Sequence, residues 1–463
     1  MRICLVIYDN GSFVNFFPMG MAYIASVLLS EGYEIEIYNQ DQFHYPEEHL
    51  TEYLNNKEFD VVCVSVIAGY YQYRKLLKIS DAINKSKKRP FYIIGGHGPS
   101  PEPEYFLKKT KADVAVIGEG ELTVVELMKA ITTRKSLRKI KGIAFREGRK
   151  VTINPRRPLI KDIDSIEFPA YKLFPVDYYK LMRIHPHVTN TDFVIPIVSG
   201  RGCTFKCNFC YRLDKGHRAR SADRIIEEIK FLKLNHGITY IAFSDELLMT
   251  SVERTETLCK AFIKARIGVK WYCNGRLNYA TPDVLKLMKK AGCIFINYGI
   301  EAMDDTVLKN MKKGLRTKQV IKGIEATLDA GISPGFNILW GNIGDNKETL
   351  KKGVDFLIKY DRGAQLRTIR VVTPYPGSPL YYDAIEKGFL KDCEDFYENK
   401  HTNSDLLSAN FTELSDEEVH QSLYEANVKL LENYYEKSKD YAIEQAKKIF
   451  LEKDSGFRGF RQH

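Results

Sequence analysis

The stretch "RGCTFKCNFCYR" places cysteines at 203, 207 and 210, three of only nine in 463 residues. A disulfide framework wants an even count, and a tetrahedral zinc site wants four ligands. Three thiolates on one short loop instead suit a metal centre with a vacant coordination position. They can hold three corners of a [4Fe–4S] cube and leave the fourth iron open to a small chelating ligand. Gly202 lets the backbone turn before Cys203, and the ring of Phe209, just before Cys210, is placed to cover such a ligand. Two other readings stay open on spacing alone. Zinc would take the three cysteines plus His217, although Cys-x3-Cys-x2-Cys departs from paired zinc spacing. A Cys207–Cys210 dithiol would be a redox pair, although such pairs normally open a helix in a thioredoxin-like fold.

The elements that must position this loop are strands and helices in alternation. From "DFVIPIVSGRG" onward, apolar runs such as "TYIAFSD", "VKWYCNG", "CIFINYGIE", "SPGFNILWGN" and "AQLRTIRVV" are separated by helical patterns such as "ADRIIEEIKFLKLN" and "TLKKGVDFLIKY". About six β/α units predict a partial (β/α)6 barrel of TIM type over 191–380, whose reactive end lies at the carboxyl ends of the strands. The cysteine loop follows the first of these strands. The preceding 135 residues also alternate. "RICLVIY", "EIEIYN", "FDVVCVSVI", "PFYIIGG" and "ADVAVIG" read as strands of a parallel sheet covered on both faces, a doubly wound, Rossmann-like α/β domain. Residues 136–190 read as a linker with a β-hairpin around Glu147-Gly148. Residues 381–463 read as a helical domain, with "SDEEVHQSLYEANVKLLENYYEKSKDYAIEQAKKIF" as two helices.

Bulk properties narrow the class. A hydrophobic content of 44% and a charged content of 28% are those of a soluble globular chain. The net charge of +10 is mild for this length, and no basic stripe interleaved with aromatics points to nucleic acid. "MRICLVIYDNG" lacks a signal-peptide layout, and "FFPMGMAYIASVLL" is too short and interrupted to span a membrane. Cysteines scattered singly through apolar segments fit a reducing, cytoplasmic setting.

"CTFKCNFC", in its place after the first barrel strand, resembles the Cys-x3-Cys-x-aromatic-Cys signature of the radical S-adenosylmethionine (SAM) enzymes. The resemblance covers about 190–390. It implies that Cys203, Cys207 and Cys210 hold a [4Fe–4S] cluster whose open iron chelates the methionine end of SAM, and that one electron breaks the C–S bond to give a 5′-deoxyadenosyl radical. "GIEAMDDTVLKNMKKG" is similar to the family's Gly-x-Glu element, which puts Gly299 and Glu301 at the SAM ribose. "NILWGNIGDNKETL", with Asn337 and Gly341, resembles the Gly-rich element beside the adenine, although "IGD" replaces the usual Pro-Gly-Glu. "TPYPGSPLYYDAIEKG" resembles the closing segment. Phe209, and Asn274 and Arg276 at the end of strand three, are further candidates for SAM contact. Each of these residues has a plainer reading: Glu301 as one half of an ion pair, Asn274 and Arg276 as partners for strand-end backbone. Asp245 and Glu246 in "FSDELLM" end strand two as a candidate acid–base pair, or serve as a helix cap or structural ion pair.

The first domain has no Gly-x-Gly-x-x-Gly after strand one, which argues against a dinucleotide. Glycines cluster instead in "IIGGHGPSPEPE" and "VIGEGELTVVEL", where they allow close approach of a large ligand. With "FPMGMAYIASVL", these stretches resemble the cobalamin (B12)-binding domain of the B12-dependent radical SAM subfamily, over about 1–135. The resemblance implies that Gly95, Gly96, Gly118 and Gly120 line the nucleotide tail, with Met19, Gly20, His97 and Glu119 as further cobalamin contacts. It places Ser65, Gly69 and Tyr70 under the corrin ring. The Asp-x-His-x-x-Gly motif that supplies histidine to cobalt is absent, the region reading "YDNGSFV". The expected activity is methylation of an unactivated carbon or phosphorus centre through methylcobalamin, fed by an external low-potential donor of flavodoxin or ferredoxin type. The alternatives are a radical cyclisation, rearrangement or oxidation without methyl transfer, and a non-catalytic iron–sulfur or zinc protein. The substrate is undefined among small molecules, lipids and peptides.

Overall fold

In a computed structural model, residues 1–11, 17–181, 188–189, 191–213, 216–363 and 365–453 are described. Part of the "YDNGSFV" loop, the first residue of the expected "AQLRTIRVV" strand and residues 454–463 of the expected helical domain lie outside them.

Seven strands form the first sheet: β1 (Arg2–Ile7), β2 (Glu34–Asn39), β3 (Val61–Ser65), β4 (Phe91–Gly95), β5 (Val114–Val116), β6 (Ile143–Glu147) and β7 (Lys150–Ile153). Their order is β2-β1-β3-β4-β5-β6-β7. The first five are parallel, and the β6–β7 hairpin, expected as part of a linker, extends the sheet antiparallel to β5. Alternation decides which face each side chain fills. Ile3, Leu5 and Ile7 pack with the helices Met19–Ser30 and Glu121–Thr132, whereas Cys4 and Val6 pack with the helix Tyr70–Asn84 on the other side. Both faces of β1 are therefore dry, which is why its sequence is an unbroken apolar run.

The second sheet is the curled one. It joins β8 (Val194–Ile197), β11 (Tyr240–Phe243), β12 (Lys270–Gly275), β13 (Cys293–Glu301), β14 (Ser333–Trp340) and β15 (Arg370–Val371), all parallel, as a six-stranded half-barrel. A two-residue ribbon, β9 (Gly200–Arg201) against β10 (Arg218–Ala219), closes the base of the cysteine loop. In the C-terminal region the stretch "SDEEVHQSLYEANVKLLENYYEKSKDYAIEQAKKIF", expected as two helices, forms one, Asp416–Phe450. A Ser415/Glu418 capping box starts it, and no Gly or Pro interrupts its 35 residues. Asn427 on this helix exchanges hydrogen bonds with both backbone groups of Ile369, at 2.9 and 3.0 Å, and so occupies the outer edge of the barrel next to β15. No helix among the described residues is long and apolar enough to cross a membrane.

A buried network ties the segment after the hairpin to the barrel. Glu228 is fully buried; it accepts from the Tyr171 hydroxyl at 2.7 Å and pairs with Arg220, whose guanidinium also donates to the Val198 carbonyl. Removing one partner of such a pair strands the other in low dielectric. Glu228→Ala is expected to lose about 3–5 kcal/mol, read as a lowered unfolding midpoint, with Glu228→Gln intermediate between it and the parent.

Candidate functional site

The cysteine loop leaves the end of β8 and is held from three sides. Gly202 sits at φ +82°, and a side chain there would strike the Gly216 carbonyl, so the turn requires glycine. Asn208 is buried: its N–H donates to Met311 O at 2.9 Å, its carbonyl accepts from Leu380 N at 2.8 Å, and its amide pairs with that of Asn342 at 3.0 and 3.1 Å. The loop is thus pinned to the turns after β13 and β14 and to the closing segment. All three thiols are free, Cys207 buried and the others partly exposed. Cys207 and Cys210 share a hydrogen bond. Together with the nearby charges of Lys313 and Arg276, it lowers Cys207 to about 6, while Cys210 keeps the proton and is pushed up. Burial raises Cys203. Among the described residues no three side chains converge on a single metal ion, His217 included. A cube places each thiolate on a different iron, so such convergence is not what it demands.

Glu301 lies opposite the loop, at the end of β13. It is a non-glycine residue at φ +69°, set by a bulge between Gly299 and Glu301, and its Oε1 accepts from Lys313 Nζ at 2.7 Å in a buried ion pair. A Cβ on Gly299 would run into the Glu301 carboxylate and stand 2.8 Å from Lys313 Nζ. Gly299 is therefore needed to let the carboxylate fold back over its own strand. Phe209 packs against Ala302, Val307, Leu308 and Met311. Arg276 is 5% exposed, with its guanidinium 3.3 Å from the centre of the Phe205 ring and against the Cys207 thiol. Its Nε and Nη2 find no hydrogen-bond partner among the described residues.

Across the mouth of the barrel runs a chain of amides. Asn337 donates to Asn297 at 2.8 Å, Asn297 to Asn274 at 3.1 Å, and Asn274 to the Asp245 carbonyl at 2.8 Å. Asn274 and Asn337 were expected at the site, whereas Asn297, one pleat before Gly299, was not picked out. Asp245 is turned into the fold: its carboxylate accepts from Ser199 N at 2.6 Å and from the Ser199 hydroxyl. Its observed task is to hold the end of β8 rather than to face the cavity. Glu246, exposed next to it, does face the cavity. Gly341, at φ +91°, turns the chain after β14. In the divergent "IGD", Asp345 accepts from Asn342 N at 2.9 Å and Thr349 Oγ1 at 2.8 Å, and burial raises it to about 6.

A cavity of about 730 Å³ lies between the first sheet and the barrel. Pockets for small ligands run about 300–1,000 Å³. Its first wall carries Met19, Gly20, Ser65, Gly95, Gly96, His97, Gly118, Glu119 and Gly120; its second carries Pro196, Val198, Gly202, Ser244, Glu246 and Tyr272. Gly20 and Gly118 face open space, while a Cβ on Gly96 would meet Val66 O and stand 2.8 Å from Ser65 Oγ. The His97 ring is accessible from the cavity yet enclosed on most sides, and that enclosure lowers its pKa. Gly69 and Tyr70 are not on this wall. They begin the helix Tyr70–Asn84, and the Tyr70 ring meets His401 edge-on at 6.4 Å. Glu119 lines the cavity but is committed: it accepts from Ile160 N, Arg201 and Arg218, each at 2.9 Å, contacts that hold its pKa down although burial opposes them.

The residues fit the groups that the sequence implies. Three free thiols, two buried cations beside them and the unpaired N–H groups of Arg276 suit an anionic cluster with a carboxylate-bearing ligand. On the facing wall, Gly20 and Gly118 leave open space for a large ligand. Such a fold, with such a site, defines a radical SAM enzyme carrying a second cofactor domain. Residues 197–357 match the Radical SAM superfamily and residues 13–128 the B12 binding domain. The chain thus carries a radical SAM domain and a B12-binding domain. It is 28% identical to an uncharacterised methyltransferase of Pyrococcus horikoshii, over 81% of this chain and 79% of that protein. It is 25% identical to the anaerobic magnesium-protoporphyrin IX monomethyl ester cyclase of Rubrivivax gelatinosus, over 82% and 69%. Its fold resembles that of the radical SAM methyltransferase TsrM from Kitasatospora setae, with TM-score 0.67 and 18% identity over 83% of this chain and 75% of that one.

The shared thiol proton gives a test on the apoprotein. A lowered pKa means that thiolate is present above about pH 6 and lost below it. Ultraviolet thiolate absorbance should therefore show one titration well below the ordinary cysteine range, absent in Cys207→Ala and shifted upward in Lys313→Met.

Proposed function

We propose that this protein is a cobalamin-dependent radical SAM methyltransferase acting on an unactivated carbon or phosphorus centre, a poor nucleophile that SAM cannot methylate directly. The observation that carries the reading is a cavity walled on one side by the glycine-rich ends of the first sheet and on the other by the mouth of the barrel. When bound, the cofactors supply one electron to cleave SAM to a 5′-deoxyadenosyl radical, and a methyl group held on cobalt. Cys203, Cys207 and Cys210 would hold the cluster, with Asn208 fixing the loop that presents them.

The chain's own residues then bind and orient. Arg276 offers its unpaired N–H groups to the carboxylate of SAM, Glu301 accepts from the ribose hydroxyls, and the Asn274–Asn297–Asn337 chain presents amides along the adenosyl side. Met19, Gly20, Ser65, Gly95, Gly96, His97, Gly118 and Gly120 shape the cobalamin wall. Tyr272 and the apolar cavity lining exclude water, so that a radical meets substrate rather than solvent. Glu246 is the carboxylate placed to accept a proton from substrate. An external low-potential donor in the cytoplasm would supply the electron. A second reading, ring closure without methyl transfer, is favoured by the likeness to the cyclase, and it differs in leaving the mass of the product without an added methyl.

Anaerobic reconstitution with iron, sulfide and hydroxocobalamin tests both. The expected result is a cobalamin spectrum retained through gel filtration, 5′-deoxyadenosine formation under a low-potential reductant, and loss of that product in each cysteine variant. Glu301→Gln should weaken SAM binding by about tenfold to a hundredfold, as removal of a charged hydrogen-bond acceptor does. Retained SAM cleavage in Cys203→Ala, Cys207→Ala or Cys210→Ala would overturn the assignment.

A further inference from the structure

The helix Asp416–Phe450 is buried only along its first half. Val419, Leu423, Ala426 and Leu430 pack inward, and among the described side chains no hydrophobic residue after Leu430 is buried. Asn433 and Lys437 are its last anchors, donating to the carboxylate and the carbonyl of Asp361. A helical end standing in water is marginally stable, and packing of an apolar face is what usually secures it. Such a face exists on the outer side. Tyr424, Leu431, Tyr435, Ala442, Ala446 and Phe450 succeed one another at intervals of four or seven residues, which aligns them in one stripe. Tyr424, Tyr435 and Phe450, with the adjoining Ile443, are 57–69% exposed. The helices Val252–Ala265, Pro282–Lys290, Thr317–Asp329 and Lys347–Tyr360 expose no large hydrophobic residue. The stripe is therefore particular to the C-terminal helix.

Charge decides what covers it. Beside the stripe, seven residues apart, stand Glu425, Glu432 and Lys439, with Lys447 two turns further on. One half of the face is thus flanked by acid and the other by base. Among the described residues Glu432 and Lys439 form no ion pair, and Lys447 reaches Glu444 and Glu452 only at 3.8 Å. Glu425 accepts from Gln421 at 2.9 Å. An anionic lipid surface would attract Lys439 and Lys447 but repel Glu425 and Glu432. A second copy of the same helix, laid antiparallel, satisfies both signs. About a twofold axis between Tyr435 and Glu436, Glu432 stands opposite Lys439 of the second copy and Glu425 opposite its Lys447, and each pair occurs twice. The same axis sets Val428 against Ile443 and brings Tyr435 to its own counterpart. A patch that complements itself in this way is the requirement for a closed twofold dimer. We propose that the outer face of the helix Asp416–Phe450 is the interface of an antiparallel homodimer. This contact involves none of the residues assigned to the cofactors.

Sedimentation velocity of the full, anaerobically reconstituted chain at about 1 to 100 µM reads the assembly directly. The parent should sediment as a dimer at the upper end of that range. Glu432→Lys and Lys439→Glu each turn two attractive pairs into repulsive ones, and each should weaken the dimer about tenfold at low salt. The double variant Glu432→Lys/Lys439→Glu restores opposite charges across the axis and should regain the parent's dissociation constant. An equimolar mixture of the two single variants should likewise form a mixed dimer at concentrations where each alone is monomeric. Tyr435→Asp, which buries two like charges at the axis, should sediment as a monomer throughout. A parent that stays monomeric over the whole range, a double variant as weak as the single ones, or a Tyr435→Asp chain that dimerises as the parent does overturns the interface. So does a monomeric parent that binds phosphatidylglycerol vesicles through Tyr435, since the stripe would then meet lipid.

Discussion

The carboxylate of Glu119 holds the two halves of this molecule together. It stands at the end of the first sheet and takes hydrogen bonds from Arg201 and Arg218, which belong to the ribbon at the base of the cysteine loop, while Arg201 also reaches Glu121 at 2.6 Å. Two arginines and two glutamates make the cluster neutral, which is the condition under which buried charges are tolerated. Arg201 also lies over the Tyr23 ring at 5.3 Å, so the clasp reaches the helix that lines the cavity. Since Arg201 is two residues from Cys203, the contact that docks the domains and the contact that places the first thiol are mechanically one. A shift of the first sheet cannot leave the cysteine loop undisturbed.

The same economy holds at the other end of the loop. Asn208 lies between Cys207 and Cys210 and is bonded to the turns after β13 and β14 and to Leu380. Those turns carry Glu301, through Lys313, and Gly341. One buried asparagine therefore fixes the distance between the thiols and the groups expected around SAM. Leaving such an amide unpaired in the interior costs about 1–3 kcal/mol, so the register of the loop is set by satisfaction of Asn208 rather than by the cysteines themselves.

Much of this was legible in the sequence because it follows from periodicity and from residues with unusual backbone demands. Unbroken apolar strands foretold two largely parallel sheets; of the glycines expected to admit a large ligand, Gly118 faces open space, whereas Gly96 and Gly120 are held against Val66 and Ile24. Cys-x3-Cys-x2-Cys and Gly-x-Glu located the mouth of the barrel. What could not be read was which polar groups find each other across long sequence distances. Asn208 with Asn342 and Glu119 with Arg201 and Arg218 are separated by 82 to 134 residues, and nothing local announces them. Asp245 shows the converse. A carboxylate at a strand end looks catalytic until Ser199, 46 residues earlier, is seen to occupy it. The long C-terminal helix was divided in expectation, yet its uninterrupted sequence held no reason to break.

The cations near the loop divide into two populations with different physics. Arg276 and Lys313 are buried, where the effective dielectric is low and salt does not reach, so their charge acts on the thiols at all ionic strengths. Lys206, Lys309, Lys312 and Arg316 are exposed, where water and counterions screen them beyond about 8–10 Å. The first pair can therefore govern the electrostatics of the loop, and the second group can govern what approaches it, without either interfering with the other. Met311 sits at the boundary: its carbonyl holds Asn208 inside, and the next residue, Lys312, turns outward at φ +53°. One left-handed residue thus separates the charges that act on the thiols from those that face solvent.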